Sequence, residues 1–207
     1  DNLLEIKDLS RIFDISKPWL NRLIEREDRR LLRAVNDVSL NIKRGETFAL
    51  VGESGSGKST IAKMIVGLLA ASSGEIRFDG VNLAEQSPTA MRNIRRRYQM
   101  IFQDPFASLN PRWRVRDIIA EPLRKFGMGD REGSSQKRVD ELLELVGLSA
   151  KDGSKFPHEF SGGQRQRIAI ARVLSSKPQF IVCDEPTSAL DVSVQAQLLN
   201  LLRDLQR

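Results

Sequence analysis

The sequence is poor in cysteine, histidine and aromatic residues, and these shortages exclude several kinds of site. Its 207 residues include one cysteine, one histidine and one tyrosine, and aromatic residues make up 6% of the chain. The lone Cys183 can form no intramolecular disulfide and excludes a zinc site built from several cysteines. The chain also lacks a secretion signal and the roughly 18 uninterrupted apolar residues of a membrane span. We therefore expect a soluble protein of the cytosol.

Neither basic nor acidic residues are concentrated in one part of the chain. It carries 33 basic and 27 acidic side chains, a formal net charge of +6. The basic excess is spread along the sequence, apart from a local cluster at Arg92, Arg95, Arg96 and Arg97. Because no tail of like charge is present, net charge alone does not indicate a nucleic-acid partner.

Apolar runs and helical periodicities alternate along the chain, which favours an α/β fold with a mostly parallel sheet wound by helices. The sequence predicts strands at residues 3–15, 31–42, 47–51, 75–78, 98–102 and 180–183. It predicts helices at residues 58–69, 115–126, 136–146, 163–174 and 192–206. We interpret residues 1–104 and 160–207 as a core, and residues 105–159 as an inserted helical subdomain.

A glycine-rich loop between a predicted strand and a predicted helix carries a specific chemical pattern. Residues Gly52 to Ser59 match G-x-x-x-x-G-K-[ST]. Glycines let backbone N–H groups and the helix N-terminus converge on phosphate oxygens. We expect Lys58 to reach the β- and γ-phosphates and the Ser59 hydroxyl to bind Mg²⁺. The candidate nucleotide-binding residues of this loop are Gly52, Glu53, Ser54, Gly55, Ser56, Gly57, Lys58, Ser59 and Thr60.

Acidic side chains follow the last predicted strand, where Asp184 and Glu185 come directly after residues 180–183. Because the carboxyl ends of parallel strands share one edge of a sheet, we expect both acids beside the phosphate loop. Asp184 would hold Mg²⁺, and Glu185 would orient and polarise the attacking water. Gln103, which follows strand 98–102, is a further candidate at this edge that can approach Mg²⁺ or water.

A second phosphate-like turn, Ser161-Gly162-Gly163-Gln164, opens the helix predicted at residues 163–174. Serine is a favoured N-cap, and two glycines expose backbone N–H groups at the positive end of the helix. Both features suit an anion. The chain therefore carries two phosphate-binding half-sites, which lie over a hundred residues apart in the sequence.

Together, these motifs resemble the nucleotide-binding subunits of ATP-binding cassette (ABC) transporters over nearly the whole chain. The Walker A loop, the Q-loop residue Gln103, the signature from Phe160 to Gln164, Walker B with Asp184 and Glu185, and a D-loop at residues 188–191 follow in the family's order. Phe160 stands where the family usually has leucine. The resemblance implies an ABC-type P-loop core with an N-terminal antiparallel β region and an inserted helical subdomain, and ATP and Mg²⁺ as ligands.

The resemblance also implies partners. A second ATPase subunit, identical or related, would cover ATP on the Walker A loop with its signature turn, and Phe13 matches the aromatic residue expected to stack on adenine. Segments 101–112, 157–160 and 191–197 look like the oligopeptide/dipeptide importers, whose relatives include nickel importers. Such a subunit sits on the inner face of the cell membrane, contacts integral permease subunits through residues 110–126, and serves a substrate-binding protein indirectly.

Two further expectations concern the end of the chain and its alternative function. The family pattern includes a switch histidine after helix 192–206, whereas the single histidine, His158, precedes the signature. We therefore expect a truncated catalytic core that binds nucleotide and hydrolyses it weakly.

The alternative to an importer subunit is a nucleic-acid-associated ABC ATPase, suggested by the net charge and the arginine cluster. The lack of cysteine pairs and coiled-coil heptads counts against this alternative.

Overall fold

The computed structural model describes residues 1–16, 28–104, 108–128, 134–186 and 192–206. The chain divides into two compact units, residues 1–87 and residues 88–207. The segment that we predict as a helical subdomain, residues 105–159, falls within the second unit, and its boundaries stay a prediction. The predicted D-loop at residues 188–191 lies outside the described residues.

The first unit is built on a four-stranded antiparallel sheet. Its strands β1 (Asn2–Asp14), β2 (Leu31–Lys43), β3 (Ser73–Phe78) and β4 (Val81–Asn82) lie in the order β2-β1-β3-β4. The central strand β1 turns Leu4 and Ile6 into the core, where each is 1% exposed. These residues pair across the sheet with Phe78 and Ile76 of β3. The N-terminal antiparallel region expected from the sequence is confirmed.

Helix α1 (Lys58–Ile65) packs its apolar face into the first unit by burying Ile61, Met64 and Ile65. It ends short of the predicted boundary at Leu69. Leu68 is 60% exposed and does not continue the buried stripe. The helical periodicity of the sequence therefore located the helix but overestimated its length.

The apolar run at residues 47–51 does not form the buried strand that the sequence predicts. No strand is assigned there, and Phe48, Leu50 and Val51 are 44%, 41% and 90% exposed. A strand needs a neighbour that pairs with its edge, and burial needs side chains that cover its faces. None of the strands in the four-stranded sheet pairs with this run, so the prediction is wrong at this segment.

The second unit combines helices with a parallel pair of strands. Its described elements are α2 (Pro88–Arg97), β5 (Tyr98–Ile101), α3 (Val115–Lys125), α4 (Ser134–Leu145), α5 (Gly162–Ser175), β6 (Phe180–Cys183) and α6 (Val192–Gln206). Strands β5 and β6 run parallel, with Tyr98 opposite Phe180 and Ile101 opposite Cys183. From α3 onward, and in both strands, the observed bounds lie within two residues of those predicted.

The core of the second unit forms where α3, α4 and α5 meet. Ile118, Leu142 and Ile168, one from each helix, are at most 2% exposed, and Leu198 of α6 joins the same cluster. This packing fixes the two ends of α5, which carries the second glycine turn. In the part of the chain that the structure describes, no helix combines the length and the apolar character needed to cross a membrane.

Candidate nucleotide-binding site

The glycine-rich loop of the first unit leads directly into the N-terminus of α1. Its residues 52–56 are exposed, and residues 57–60 are half-buried. Gly57 is the N-cap, with a φ angle of 96°, and it supplies no side chain to the N–H groups of the first helical turn. A helix N-terminus carries a partial positive charge, and its first N–H groups lack intrahelical acceptors. This geometry suits a bound phosphate.

Lys58 folds back against the loop that precedes it. Its Nζ atom donates hydrogen bonds to the carbonyl oxygens of Gly52, at 2.8 Å, and Glu53, at 2.7 Å. The Ser56 N–H also donates to the Glu53 carbonyl, at 3.2 Å, which closes a turn within the loop. The ammonium group therefore lies beside the loop backbone, where it can neutralise phosphate charge.

Gly57 lets the phosphate loop pack closely against strand β2. A Cβ atom at this position would lie 2.4 Å from the carbonyl oxygen of Ala34 and 3.3 Å from Cγ2 of Val35. The positive φ angle independently disfavours a side chain. The last glycine of the motif is thus required both for the conformation of the loop and for its approach to the sheet.

We expect Gly57→Ala to lower the free energy of unfolding by about 3 kcal/mol, because it adds left-handed strain of about 1–2 kcal/mol to a steric conflict of about 1–3 kcal/mol. Urea unfolding followed by circular dichroism measures this loss. Gly45→Ala is the matched control, since Gly45 has a φ of 72° but nothing within 4 Å of an added Cβ. Equal losses in the two variants would contradict the role given to the contact with β2.

In the second unit, strands β5 and β6 place Gln103 beside Glu185. The N–H of Asp184 donates to the Ile101 carbonyl at 3.0 Å, which extends the parallel pairing beyond the end of β6. The Gln103 Nε2 then donates to Glu185 Oε2 at 3.2 Å. Gln103 and Glu185 are exposed, and Asp184 is half-buried. Two residues predicted to share this edge are therefore in direct contact, and their catalytic roles stay a prediction.

The backbone of Glu185 adopts a conformation that the sequence did not reveal. Its φ angle is 45°. For a residue with a Cβ atom, the left-handed region costs about 1–2 kcal/mol. Backbone strain of this kind concentrates at functional sites, where the surrounding structure maintains it. Because Asp8, Asp37, Asp79 and Lys177 adopt the same backbone region, the strain is compatible with a functional role of Glu185 and does not by itself assign one.

The second glycine turn forms the start of α5 through a capping box. The Ser161 Oγ accepts a hydrogen bond from the Gln164 N–H at 3.3 Å, and Gln164 Oε1 accepts one from the Ser161 N–H at 3.0 Å. The two side chains satisfy each other's backbone donors. Between them, Gly163 lies so close to α6 that a Cβ would approach Cγ1 of Val194 to 2.6 Å. The turn is therefore held in a defined conformation by its own side chains and by α6.

The two aromatic residues of the predicted site lie in different surroundings. Phe160 is 6% exposed within the core of the second unit, so the residue that replaces the family's leucine anchors the turn by packing. Phe13, on β1, is half-buried. The guanidinium carbon of Arg11 lies 4.6 Å from the centroid of its ring, a cation–π arrangement that covers one ring face. Stacking of adenine on Phe13 stays a prediction.

The predicted magnesium ligands are Ser59, Gln103 and Asp184, which offer hydroxyl, amide and carboxylate oxygens. Among the described residues, no group of three or more His, Cys, Asp or Glu side chains is placed to hold a metal ion. Mg²⁺ is commonly held by one or two protein ligands together with substrate phosphates rather than by a cage of protein groups. Ser59 belongs to the first unit and Gln103 and Asp184 to the second, so the binding of one ion by all three stays a prediction.

The arginine cluster lies on the surface of α2. Arg92, Arg95 and Arg96 are exposed, while Ile94 is buried. Arg97 donates to Oε1 of Gln179 at 2.7 Å and so ties the end of the helix to the segment before β6. These contacts are those of an ordinary surface helix. They give no particular support to a nucleic-acid interface.

Comparison with known proteins assigns the chain to a family. The family model described as "ABC transporter" matches residues 35–188. The chain belongs to this family. It is similar to the dipeptide transport ATP-binding protein DppF of Lactococcus lactis, at 50% identity, and to the oligopeptide transport ATP-binding protein OppF of Bacillus subtilis, at 48%. These matches cover 99% and 100% of this chain, and 62% and 64% of the two relatives.

Solved structures confirm the fold class. A dimeric ATP-binding cassette, MJ0796, in a post-hydrolysis state with ADP and Pi, has a TM-score of 0.83 and 28% identity over 99% of this chain and 83% of its own. CbiO1 of Clostridium perfringens, part of an ABC transporter complex, has a TM-score of 0.78 and 30% identity over 100% of this chain and 74% of its own. The chain spans about 60% of the length of the curated relatives that it matches.

Proposed function

We propose that the chain is the ATP-binding and ATP-hydrolysing part of a subunit that energises an ABC importer. The observation that carries this proposal is the Lys58 loop, which runs into an uncapped helix N-terminus at Gly57. The separate turn at Ser161 begins a second helix, whose capping box occupies the N–H groups of Ser161 and Gln164 and leaves those of Gly162 and Gly163 for a phosphate of the partner's nucleotide. Family membership supports the same activity.

The chemistry of this site follows from its donor groups. Lys58 and the N-terminus of α1 bind the phosphates, and Ser59 and Asp184 would hold a magnesium ion, which would neutralise the charge of the phosphates. Glu185, which accepts a hydrogen bond from Gln103, orients a water molecule and accepts its proton. The water oxygen bonds to the γ-phosphorus while the bond from that phosphorus to the β–γ bridging oxygen breaks, which releases ADP and phosphate.

The active form is a head-to-tail dimer with a second copy or a related subunit. In this arrangement, the signature turn around Ser161 covers the nucleotide bound to the partner's phosphate loop. The dimeric state of the MJ0796 cassette supports this proposal. ATP affinity therefore depends on subunit concentration, because each nucleotide joins two chains.

Peptides are the proposed cargo, and permease subunits in the membrane are the proposed partners. The names of the relatives DppF and OppF refer to transport of dipeptides and oligopeptides. A cavity of about 300 Å³ opens on the second unit, and five of its six lining residues belong to the segment predicted to contact the permease, residues 110–126. Its lining residues are Arg112, Trp113, Arg114, Asp117, Arg124 and Phe156. The exposed arginines and tryptophan suit an acidic cytoplasmic loop of a permease, and such a contact would put the subunit on the inner face of the membrane.

Deletion of the gene in its host tests the proposed function. We expect the deletion strain to lose uptake of labelled dipeptides and oligopeptides. A wild-type copy should restore this uptake, and a copy carrying Lys58→Ala should not. Loss of nickel uptake alone would replace peptide by metal as the cargo. Unchanged uptake together with tight, salt-sensitive binding of DNA would contradict the importer and favour the nucleic-acid alternative.

A further inference from the structure

Three arginines of helix α5 connect it to other segments of the second unit. Each donates a hydrogen bond to a backbone carbonyl outside the helix. Their acceptors are Pro157 for Arg165 at 2.8 Å, Val146 for Arg167 at 2.6 Å, and Ser108 for Arg172 at 2.9 Å. The first two acceptors lie about 4 and 15 residues before Ser161. The third, Ser108, lies about 53 residues before it and about five residues after Gln103.

The guanidinium of Arg172 connects three segments at once. Its Nη1 donates to the Ser108 carbonyl, and its Nη2 donates to Glu121 Oε2 at 2.6 Å. Glu121 belongs to α3, and the side chains of the ion pair are 31% and 35% exposed. Because guanidinium is a planar fork with fixed donors, it can hold a carbonyl and a carboxylate in one geometry, whereas an ammonium group cannot reproduce that geometry.

One of the elements joined in this way carries a proposed nucleotide-contacting group. Helix α5 begins at the Ser161 cap and carries Arg172 in its last turn. Leu109, next to Ser108, is 3% exposed in the same core cluster as Ile168 of α5. The link from Ser108 to the helix is therefore anchored by packing on one side and by Arg172 on the other.

We propose that Arg172 is a positioning residue that holds Ser108 and helix α3 against the signature helix, using Glu121 as its carboxylate support. These contacts fix the position of α5 and so of the turn at Ser161. The inference rests on the proposed function, in which Ser161 contacts nucleotide. Arg172 itself touches no reacting atom and acts through the elements it joins.

The test measures steady-state ATP hydrolysis in Arg172→Gln, Glu121→Gln and the double variant of the whole chain. We expect kcat to fall about tenfold to a hundredfold in each, since a small misplacement far from the reacting atoms can cost about that much. KM for MgATP should stay within about twofold of the unaltered chain, because the change leaves the phosphate loop intact. The double variant should lose no more than either single variant, since one connection is removed in all three.

Arg138→Gln is the matched control. Arg138 pairs with Glu141 on its own helix, at 3.4 Å, and its side chain is 32% exposed, so this change removes an ion pair without disconnecting two elements. Arg172→Lys should recover part of kcat through Glu121 alone. Without nucleotide, the amides of residues 108–114 should exchange hydrogen faster in Arg172→Gln than in Arg138→Gln.

Several outcomes would overturn the inference. Multiplicative losses in the double variant, an equal fall in kcat for Arg138→Gln, or a raised KM with unchanged kcat would each do so. If Arg172→Gln does not fold, Glu121→Gln decides the question, since it keeps the shape of the side chain. No turnover by the unaltered chain would contradict the proposed function and this inference together. Normal turnover in Arg172→Gln and Glu121→Gln would contradict this inference alone.

Discussion

Replacing Lys58 with alanine is expected to weaken the binding of ATP by about tenfold to a hundredfold. Loss of a charge-assisted contact costs about 1.5–3 kcal/mol, which corresponds to that range of affinity. The Nζ atom lies 2.8 Å and 2.7 Å from two carbonyl oxygens of the phosphate loop, so a bound polyphosphate finds the ammonium in place. Isothermal titration calorimetry with MgATP measures the change.

Lys63→Ala is the matched control for this experiment. Lys63 lies in the last turn of the same helix and is exposed, so its removal changes the net charge equally without altering the loop. We expect its affinity for ATP to stay within about twofold of the original, since exposed charges are well screened. Unchanged affinity in Lys58→Ala, or equal weakening in both variants, would contradict the assignment of the phosphate site.

Replacing Glu185 with glutamine is expected to lower kcat for ATP hydrolysis by about a hundredfold to ten thousandfold, the usual contribution of a general base. The amide oxygen of glutamine can still accept the hydrogen bond from Gln103, which is 3.2 Å long in the original chain. The geometry is therefore kept while the charge and the proton acceptor are lost. Single-turnover release of phosphate measures the chemical step.

ATP affinity separates this effect from a defect in binding. Glu185→Gln should bind MgATP at least as tightly as the original chain, because a negative charge close to the phosphates is removed. Glu144→Gln, an exposed position on α4, controls for the change in net charge and should hydrolyse ATP normally. A turnover in Glu185→Gln equal to that of the original chain would exclude Glu185 as the base.

The positions of most helices and strands followed from hydrophobic periodicity. Helix α6 and strand β6 have the predicted bounds. Their burial is lower than the apolar pattern predicts, since Val192 and Leu199 of α6 are exposed and no residue of β6 is fully buried. The run at residues 47–51 was misjudged in its structure as well as in its burial. A short apolar segment without periodicity carries no information about which strand pairs with it, and its burial depends on contacts distant in the sequence.

The sequence likewise predicted some features of the candidate site and missed others. Motif spacing selected Lys58, Ser161 and Glu185 as candidates, because the chemistry of phosphate binding demands particular residue types at particular intervals. It could not show that Gln164 closes a capping box with Ser161 or that Arg172 bonds to Ser108. Those contacts depend on the path of the chain in three dimensions. Arg172 has no distinguishing neighbour in the sequence, and its partner Glu121 lies 51 residues away.

At Glu185, the left-handed backbone conformation creates a conflict between the stability of the fold and the proposed hydrolysis of ATP. Its φ of 45° would be relieved by glycine, or in part by asparagine, and each would remove the carboxylate. A screen for heat resistance would therefore favour replacements here that, under the proposed mechanism, abolish hydrolysis. Stabilising substitutions are better sought outside the phosphate loop, the turn at Ser161 and the carboxyl edge of β5 and β6, because there a gain in stability removes no group proposed to bind or hydrolyse ATP.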